Sequence, residues 1–547
     1  MSASSKKKLR SAERAEKLTE KQLQEQKEAK KLRFFTIAIV AVVVLMLVFA
    51  VYTAVSRAVT NSGMKEKNTV ALTVGEHEIS NAELNYFYID AVNNFLGQYG
   101  SYASMFGLDT TVPLNEQFFS EETQTTWADY FIESASASAQ AVYAIVDAAE
   151  AEGYALPEEY TTQIDASLTN LDANAVRYGY PDTDTYVKAM YGNGASEKGL
   201  RAYYELTALA DAYQIHYTDS LTYDEAALRA EDDADPKQYN GYSYNSYYLA
   251  SSKFLEGGTT DEEGNTTYSD EEKAASVTAA EAAAKALAEG EYADVAAFDA
   301  AIAALSINAE VENASSTAYT DTLYSSLNSV VQDWVADESR KAGDVDYIAS
   351  TSTTTDGDGN EKTTVNGYYV VMFQGCTDNN YPLANVRHIL AAYEGGSYDS
   401  STGLTTYTDE EKAAAKAAAE EILAQWEAGE ASEESFAALA NEKSADSDGT
   451  DGGLYEDVYP GQMVTNFNDW CFDEAREPGN TGIVESEFGY HVMFYSGDSE
   501  TSYRDYMIDS KLRNEDANEW YTALIEAMTM TEGDTSYIPK EIGRAHV

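Results

Sequence analysis

The chain of 547 residues carries 36 Lys+Arg against 93 Asp+Glu, a formal net charge of −57. So acidic a chain repels nucleic-acid phosphates, and it has no basic stripe with interleaved aromatics, which excludes nucleic acid as a partner. Two cysteines, Cys376 and Cys471, are too few for a disulfide scaffold, and the sequence leaves open whether they pair.

The charge is uneven along the chain: residues 1–33 hold 11 basic and 5 acidic residues. Within this head, Ser5 to Arg33 is rich in Lys, Glu, Gln, Ala and Leu and predicts a solvated helix. Phe34 to Val55 is an uncharged run of 22 residues, long enough to cross a hydrocarbon core as one helix. Lys30, Lys31 and Arg33 flank its start, so the positive-inside rule puts the head in the cytoplasm and the body outside. A cleaved signal peptide is the alternative, with Ala54-Val55-Ser56 open to a peptidase, although the basic region and the apolar core both exceed the usual lengths.

Ser56 to Asn68 reads as a short linker. Thr69 to Val74 alternates as a strand, Gly75-Glu76 turns it, and Ser80 with Glu83 forms a capping box. The helix so opened carries Leu84, Phe87, Tyr88 and Val92. Ala- and Tyr-rich helices continue to about Ala234, and Asp235-Pro236 marks a boundary, giving a mostly helical domain over 69–234. The 42 tyrosines fit ordinary cores first and grooves for unfolded polypeptide second.

Beyond the boundary the chain repeats itself. Thr266 to Ala275 returns as Thr405 to Ala414 with nine of ten residues identical. Asp333-Trp334, Arg340 and Gly343 match Asp469-Trp470, Arg476 and Gly479, and Gly367-Tyr368-Tyr369-Val370 matches Gly489-Tyr490-His491-Val492. Two related units follow, over 240–378 and 381–498. Asp356-Gly357-Asp358-Gly359-Asn360 has the look of a calcium loop, but Glu361 stands where the turn glycine belongs and Gly367 where the bidentate Glu belongs, so a hairpin turn is the better reading. Residues 502–541 form a C-terminal helical segment, with Trp520, Leu524 and Met528 at spacing four. Ile542 to Val547 is what a common sequencing adapter would encode, so His546 is left out of the search for a site. His77 and His216 have no partner pattern.

Three pieces of the second unit occur in order: Val386-Arg387-His388-Ile389-Leu390, then Gly452-Gly453-Leu454-Tyr455 running to Gly461-Gln462-Met463, then Phe488-Gly489-Tyr490-His491-Val492-Met493. Together they resemble the signature of the parvulin-type peptidyl-prolyl isomerases. The strand-turn-helix from Thr69 to Val92 resembles the start of the chaperone domain in extracytoplasmic foldases of the PrsA and SurA kind. These resemblances imply an α+β protein with a single N-terminal transmembrane helix, a chaperone domain and two parvulin-like units. They imply an isomerase and chaperone for unfolded or newly secreted polypeptides with X-Pro bonds, held at the membrane, with a non-catalytic holdase as the alternative.

Rotation about a peptide bond faces ~18–20 kcal/mol and needs no metal, cofactor or nucleophile to be accelerated. An apolar cup for the proline ring beside a few polar groups suffices. By resemblance, Met463 and Phe467 form the cup, with Phe488 nearby and Tyr455 at a position usually held by leucine. His388, His491 and Asp446 are the catalytic set, and an aspartate at 446 favours an electrostatic route over thiol attack. Plainer readings stand beside these: the histidines as satisfied polar core groups, Met463 and Phe467 as ordinary core, and Asp446 as part of a solvated turn. No cation follows Leu390 before Lys412, so no preference for phosphorylated substrates is expected. In the first unit, aligning Tyr248-Leu249-Ala250 on Ile389-Leu390-Ala391 puts Tyr247 opposite His388, and Tyr369 lies opposite His491. Leu327 and Val331 replace Met463 and Phe467, and the Gly-Gly pair is missing, which makes this copy a degenerate unit for binding or support.

Overall fold

The computed structural model describes residues 4–11, 44–57, 59–261, 264–355, 359, 361–399, 403–446, 452–473 and 475–540. Most of the basic head, the start of the apolar run at Phe34, Asp356 to Asp358 with Asn360, and Ile542 to Val547 lie outside them. Within the described residues Val44–Asn61 is a helix long and apolar enough to cross a membrane. The expected linker is itself helical: after Gly63, at φ +67°, helix α1 (Met64–Asn68) runs to the first strand. Chain contacts divide into two compact units, residues 1–221 with 514–547, and residues 222–513.

In the first compact unit, β1 (Val70–Val74) and β2 (His77–Ser80) form a hairpin. Ser80 then caps α2 (Asn81–Tyr99), its side chain accepting from Glu83 N–H while Glu83 returns the bond, which is the expected capping box. A 3-10 segment (Gly100–Phe106) and a short hairpin, β3 (Phe118–Ser120) with β4 (Thr125–Thr126), lead to α3 (Trp127–Glu152). Three further helices follow, α4 (Glu158–Arg177), α5 (Thr183–Tyr191) and α6 (Glu197–Ser220). The core packs Leu84, Tyr88, Phe131 and Val187 around Trp127, all nearly or wholly buried. From the far end of the chain, Trp520 and Leu524 pack with Tyr213 and Val146. Met528 packs on the main core, and a last strand, Met530–Glu532, pairs antiparallel with β1. The helical segment expected over 502–541 contains a helix at Tyr503–Ala527, and the strand is an addition to it: its edge partner, β1, is set by the fold and leaves no mark on three residues of sequence.

The second compact unit begins earlier than Asp235-Pro236 suggests, at Thr222, and takes in α7 (Glu225–Ala234). It holds two copies of one arrangement. In the first copy β5 (Gly241–Ala250) leads through a small hairpin, β6 (Thr259–Thr260) and β7 (Thr266–Thr267), to α8 (Asp270–Ala288) and α9 (Val295–Ala303). Then come β8 (Thr317–Leu323), α10 (Gln332–Val335), β9 (Val345–Thr355) and β10 (Glu361–Thr377), and the sheet order is β8-β5-β10-β9. The second copy runs β11 (Pro382–Ala392), β12 (Ser397–Asp399), β13 (Leu404–Thr406), α11 (Asp409–Glu427), α12 (Glu433–Lys443), β14 (Leu454–Val458), α13 (Thr465–Cys471), β15 (Thr481–Glu485) and β16 (Gly489–Ser502). Its sheet order, β14-β11-β16-β15, is the same.

The near-identical ten-residue segments owe their likeness to a shared clamp. Ser269 and Thr408 cap α8 and α11 in capping boxes with Glu272 and Glu411. The other carboxylate oxygen of each Glu accepts a backbone N–H, from Gly258 at 2.8 Å and from Gly396 at 3.0 Å, which ties the small hairpin to the helix. Gly396 has φ +84°, and a Cβ there would stand 2.6 Å from Thr405, so glycine is required. Buried Arg504 fastens the two copies at their junction. It donates to Asp232 from the stretch before the first copy, to Asn240 at its start, and to the carbonyl of Asp378 between the copies. Cys376 is exposed and Cys471 buried, and both are free thiols.

Candidate active site in the second repeat

Side chains alternate across β11 and β16. Ile389, Ala391, Val492 and Phe494 face α11 and α12, while Val386, Met493 and Tyr495 face Phe467 and Cys471 of α13. His388 and His491 belong to this second face and are 3 % and 5 % exposed. Strand β11 pairs with β14 only as far as Arg387↔Leu454. Beyond that point the loop at Ser444 to Asp446 takes over the edge: Leu390 N–H donates to Ser444 Oγ at 3.1 Å, and Ala445 N–H to the Leu390 carbonyl at 2.9 Å. These bonds hold Asp446 beside His388. Gly453, at φ +67°, lets the returning chain touch the strand, since a Cβ there would be 2.2 Å from the His388 carbonyl oxygen.

A single hydrogen-bonded row results. Tyr455 Oη donates to Asp446 Oδ2 at 2.9 Å, and His388 Nε2 lies 2.8 Å from the same oxygen. His388 Nδ1 meets His491 Nδ1 at 3.0 Å, and His491 Nε2 meets Ser486 Oγ at 2.7 Å. An ionised Asp446 requires the proton of His388 on Nε2. With both rings neutral, His388 Nδ1 accepts from His491 Nδ1–H and His491 Nε2 accepts from the Ser486 hydroxyl, which satisfies every nitrogen in the row. The electrostatics agree: burial lowers the His388 pKa against the pull of Asp446, and burial with the neighbouring His388 lowers that of His491 to about 4.

Phe467, 2 % exposed, stands edge-on to both imidazoles, with ring centroids 5.3 Å and 5.5 Å away. Tyr455 lies 5.1 Å from His388, and Met463 and Tyr455 pack in the same cluster as Phe467. The fold thus gathers His388, His491, Asp446, Tyr455, Met463 and Phe467. Phe488 is apart: its ring is 55 % exposed, and it reaches the row only through its N–H, which donates to Ser486 Oγ at 3.1 Å. Ser486 escapes the sequence reading, although a hydroxyl five residues before His491, across the bend, is the available signal. Buried Cys471 lies behind Phe467 with its thiol pKa pushed up to about 12 by desolvation. A groove of about 750 Å³ lined by Leu390, Ala414, Ala418, Glu421, Ile422 and Ala445 opens beside α11.

In the first copy the equivalent face is filled differently. Gly367 pairs with Ala250 as Gly489 pairs with Ala392, so the partner of Val371 is Ser246 where that of Met493 is His388. Ser246, not Tyr247, takes the place of His388. Tyr247 instead packs on the helical face with Leu249, where Ile389 sits in the second copy. A slip of one residue moves a side chain to the other face of a sheet, and aligning on Tyr-Leu-Ala makes that slip. Tyr369 does replace His491, and Leu327 and Val331 take the places of Met463 and Phe467 in the matching cluster.

Residues 368–495 match the model of the PPIC-type PPIASE domain. The second repeat is a parvulin-type isomerase domain. The match begins inside β10, whose hydrogen bonds belong to the first sheet, and covers the whole of the isomerase domain's hydrogen-bonded row. No curated protein matches the chain. Among solved structures, the peptidylprolyl isomerase PrsA from Bacillus cereus is 26% identical over 27% of this chain and 49% of its own, with a TM-score of 0.17. PrsA from Bacillus anthracis is 20% identical over 27% of this chain and 59% of its own, with a TM-score of 0.17. A structure described among two SurA-like chaperones of Campylobacter jejuni, PEB4 and Cj1289, is 15% identical over 56% of this chain and 82% of its own, at 0.13. The chain thus spans about half the length of the first of these relatives.

Proposed function

We propose that the protein is a membrane-held foldase whose second repeat interconverts X-Pro isomers in unfolded polypeptides outside the membrane. The first repeat, in this reading, supports or binds without catalysing. The observation that carries the proposal is the buried row Tyr455, Asp446, His388, His491 and Ser486 beneath Phe467, within the segment matched by the isomerase family.

Met463 and Phe467 take the proline ring, and Tyr455 narrows the cup on the side of Asp446. A twisted amide loses its resonance, and its carbonyl no longer gains from water, so an apolar, water-poor cup lowers the barrier. The neutral imidazoles fix the polar wall, and His388 with Tyr455 holds the Asp446 carboxyl in place beside them. No group transfers to the substrate. The helix Val44–Asn61 anchors the body, and the basic residues before Phe34 keep the head inside.

The test is a proline-limited refolding assay with the full chain in detergent or vesicles. Acceleration that saturates with substrate and vanishes when His388 and His491 are replaced together supports the reading. A full chain that leaves the slow phase untouched rejects it. External protease on intact cells should remove the body and spare the anchor.

A further inference from the structure

The N-terminal compact unit presents an apolar surface that its own core does not use. In the 3-10 segment and the β3–β4 hairpin, Tyr102, Met105, Phe106, Phe118 and Phe119 are 59%, 80%, 52%, 46% and 46% exposed. Two of them, Phe106 and Phe119, are joined through a row of rings at the core edge. Phe106 is 6.1 Å from Phe95, Phe95 is 5.1 Å from Trp127, and Trp127 is 5.0 Å from Phe119, which stacks at 4.3 Å on Tyr130. Trp127 beneath them is fully buried, so the strip rests on rigid support. Exposed aromatics backed by such a row mark an interaction surface, and Met105, exposed in the same 3-10 segment, adapts to varied partners.

Charge identifies the partner. Between Lys67 and Arg177 the sequence contains no lysine or arginine. Asp109, Glu116, Glu121, Glu122 and Asp129 are exposed among and beside these rings. Lys540 comes in from the other end of the chain, its carbonyl accepting Leu114 N–H at 2.8 Å, and leaves the rim acidic on balance. Such a rim repels anionic lipid headgroups and a second copy of this −57 chain, and it attracts lysine and arginine.

We propose that this strip docks unfolded client segments that combine aromatic or large aliphatic residues with neighbouring Lys or Arg. The inference rests on the foldase reading and adds where a client is held and which segments are favoured. Aromatic anchors supply the contact area, and the carboxylates select the charge.

Fluorescence anisotropy of the full chain with two labelled peptides tests it, one aromatic core being flanked by Lys in the first and by Glu in the second. The Lys peptide should bind about tenfold more tightly or better. Replacing Tyr102→Ser with Met105→Ser, both far out in solvent, should weaken it by about tenfold. Glu121→Lys with Glu122→Lys should abolish or reverse the preference, and neither pair should change the isomerisation rate of a short proline peptide. Equal binding of the two peptides overturns the proposal, as does unchanged affinity in both double variants. So does a loss of attachment to phosphatidylglycerol vesicles in those variants with peptide affinity intact. Binding as stated in a chain that never isomerises proline would remove the catalytic reading and leave this one standing.

Discussion

In both repeats of the second compact unit an arginine lies over a tryptophan face, Arg340 on Trp334 at 4.4 Å and Arg476 on Trp470 at 4.0 Å. Each donates through Nε to the carbonyl of its own tryptophan and reaches an aspartate three residues before it. The glycine after each arginine closes the same backbone bond, Gly343 to Phe373 and Gly479 to Tyr495. Even the left-handed aspartates match, Asp321 at φ 44° and Asp457 at φ 52°. What the copies share is scaffold. What separates them lies on one face of the sheet, where His388, His491 and Phe467 give way to Ser246, Tyr369 and Val331. A duplicated fold therefore supplies its own control: bonds present in both copies hold the unit together, and bonds present in one are the candidates for chemistry.

The sharpest way to break this comparison is to make the second copy like the first. His388→Ser with His491→Tyr should lower kcat/KM on a proline peptide by about 100-fold or more. A change within threefold would falsify the assignment of the site. Next in size is Gly453→Ala, which forces a Cβ against the His388 carbonyl oxygen at φ +67°. We expect a loss of about 3 kcal/mol in urea unfolding, whereas Thr317→Ala at the matching place in the first copy should cost under about 1 kcal/mol.

Acid should also distinguish the copies. An unfolded His491 binds a proton below its ordinary pKa of 6.5, but the folded residue refuses it until about 4. The unfolded state thus binds more protons across that window, and stability present above pH 6.5 is lost as pH falls toward 4, by about 2–3 kcal/mol. His491→Tyr, the first copy's residue, should flatten that slope in full-length unfolding curves. The smallest effect belongs to Tyr455→Phe, which removes one hydrogen bond to Asp446 and should cost about 1 kcal/mol in transition-state stabilisation, read as kcat/KM.

Much of this arrangement is legible in the sequence because it is written twice. The repeat, the capping boxes and the Gly-Gly approach depend on local residue types, and residues 266–275 and 405–414 expose them directly. The place of Ser246 is hidden because strand register is settled by distant partners, here Gly367 with Ala250, and no local pattern separates Ser246 from Tyr247. Ser486 is missed for a related reason: its importance comes from a bend that returns it to His491, and a serine beside glutamates otherwise looks like solvent-facing turn. The final strand Met530–Glu532 has no periodicity to detect in three residues.

The position of Cys471 has a practical consequence. A buried thiol whose proton is held up to about 12 is a poor nucleophile while the unit is closed, and it becomes an ordinary one when α13 lifts from the sheet. Exposed Cys376, in the same chain, offers alkylating reagents an internal clock. The ratio of the two modification rates, followed by mass spectrometry, therefore reports how often the floor under Phe467 opens, and a proline peptide seated there should slow Cys471 while leaving Cys376 alone.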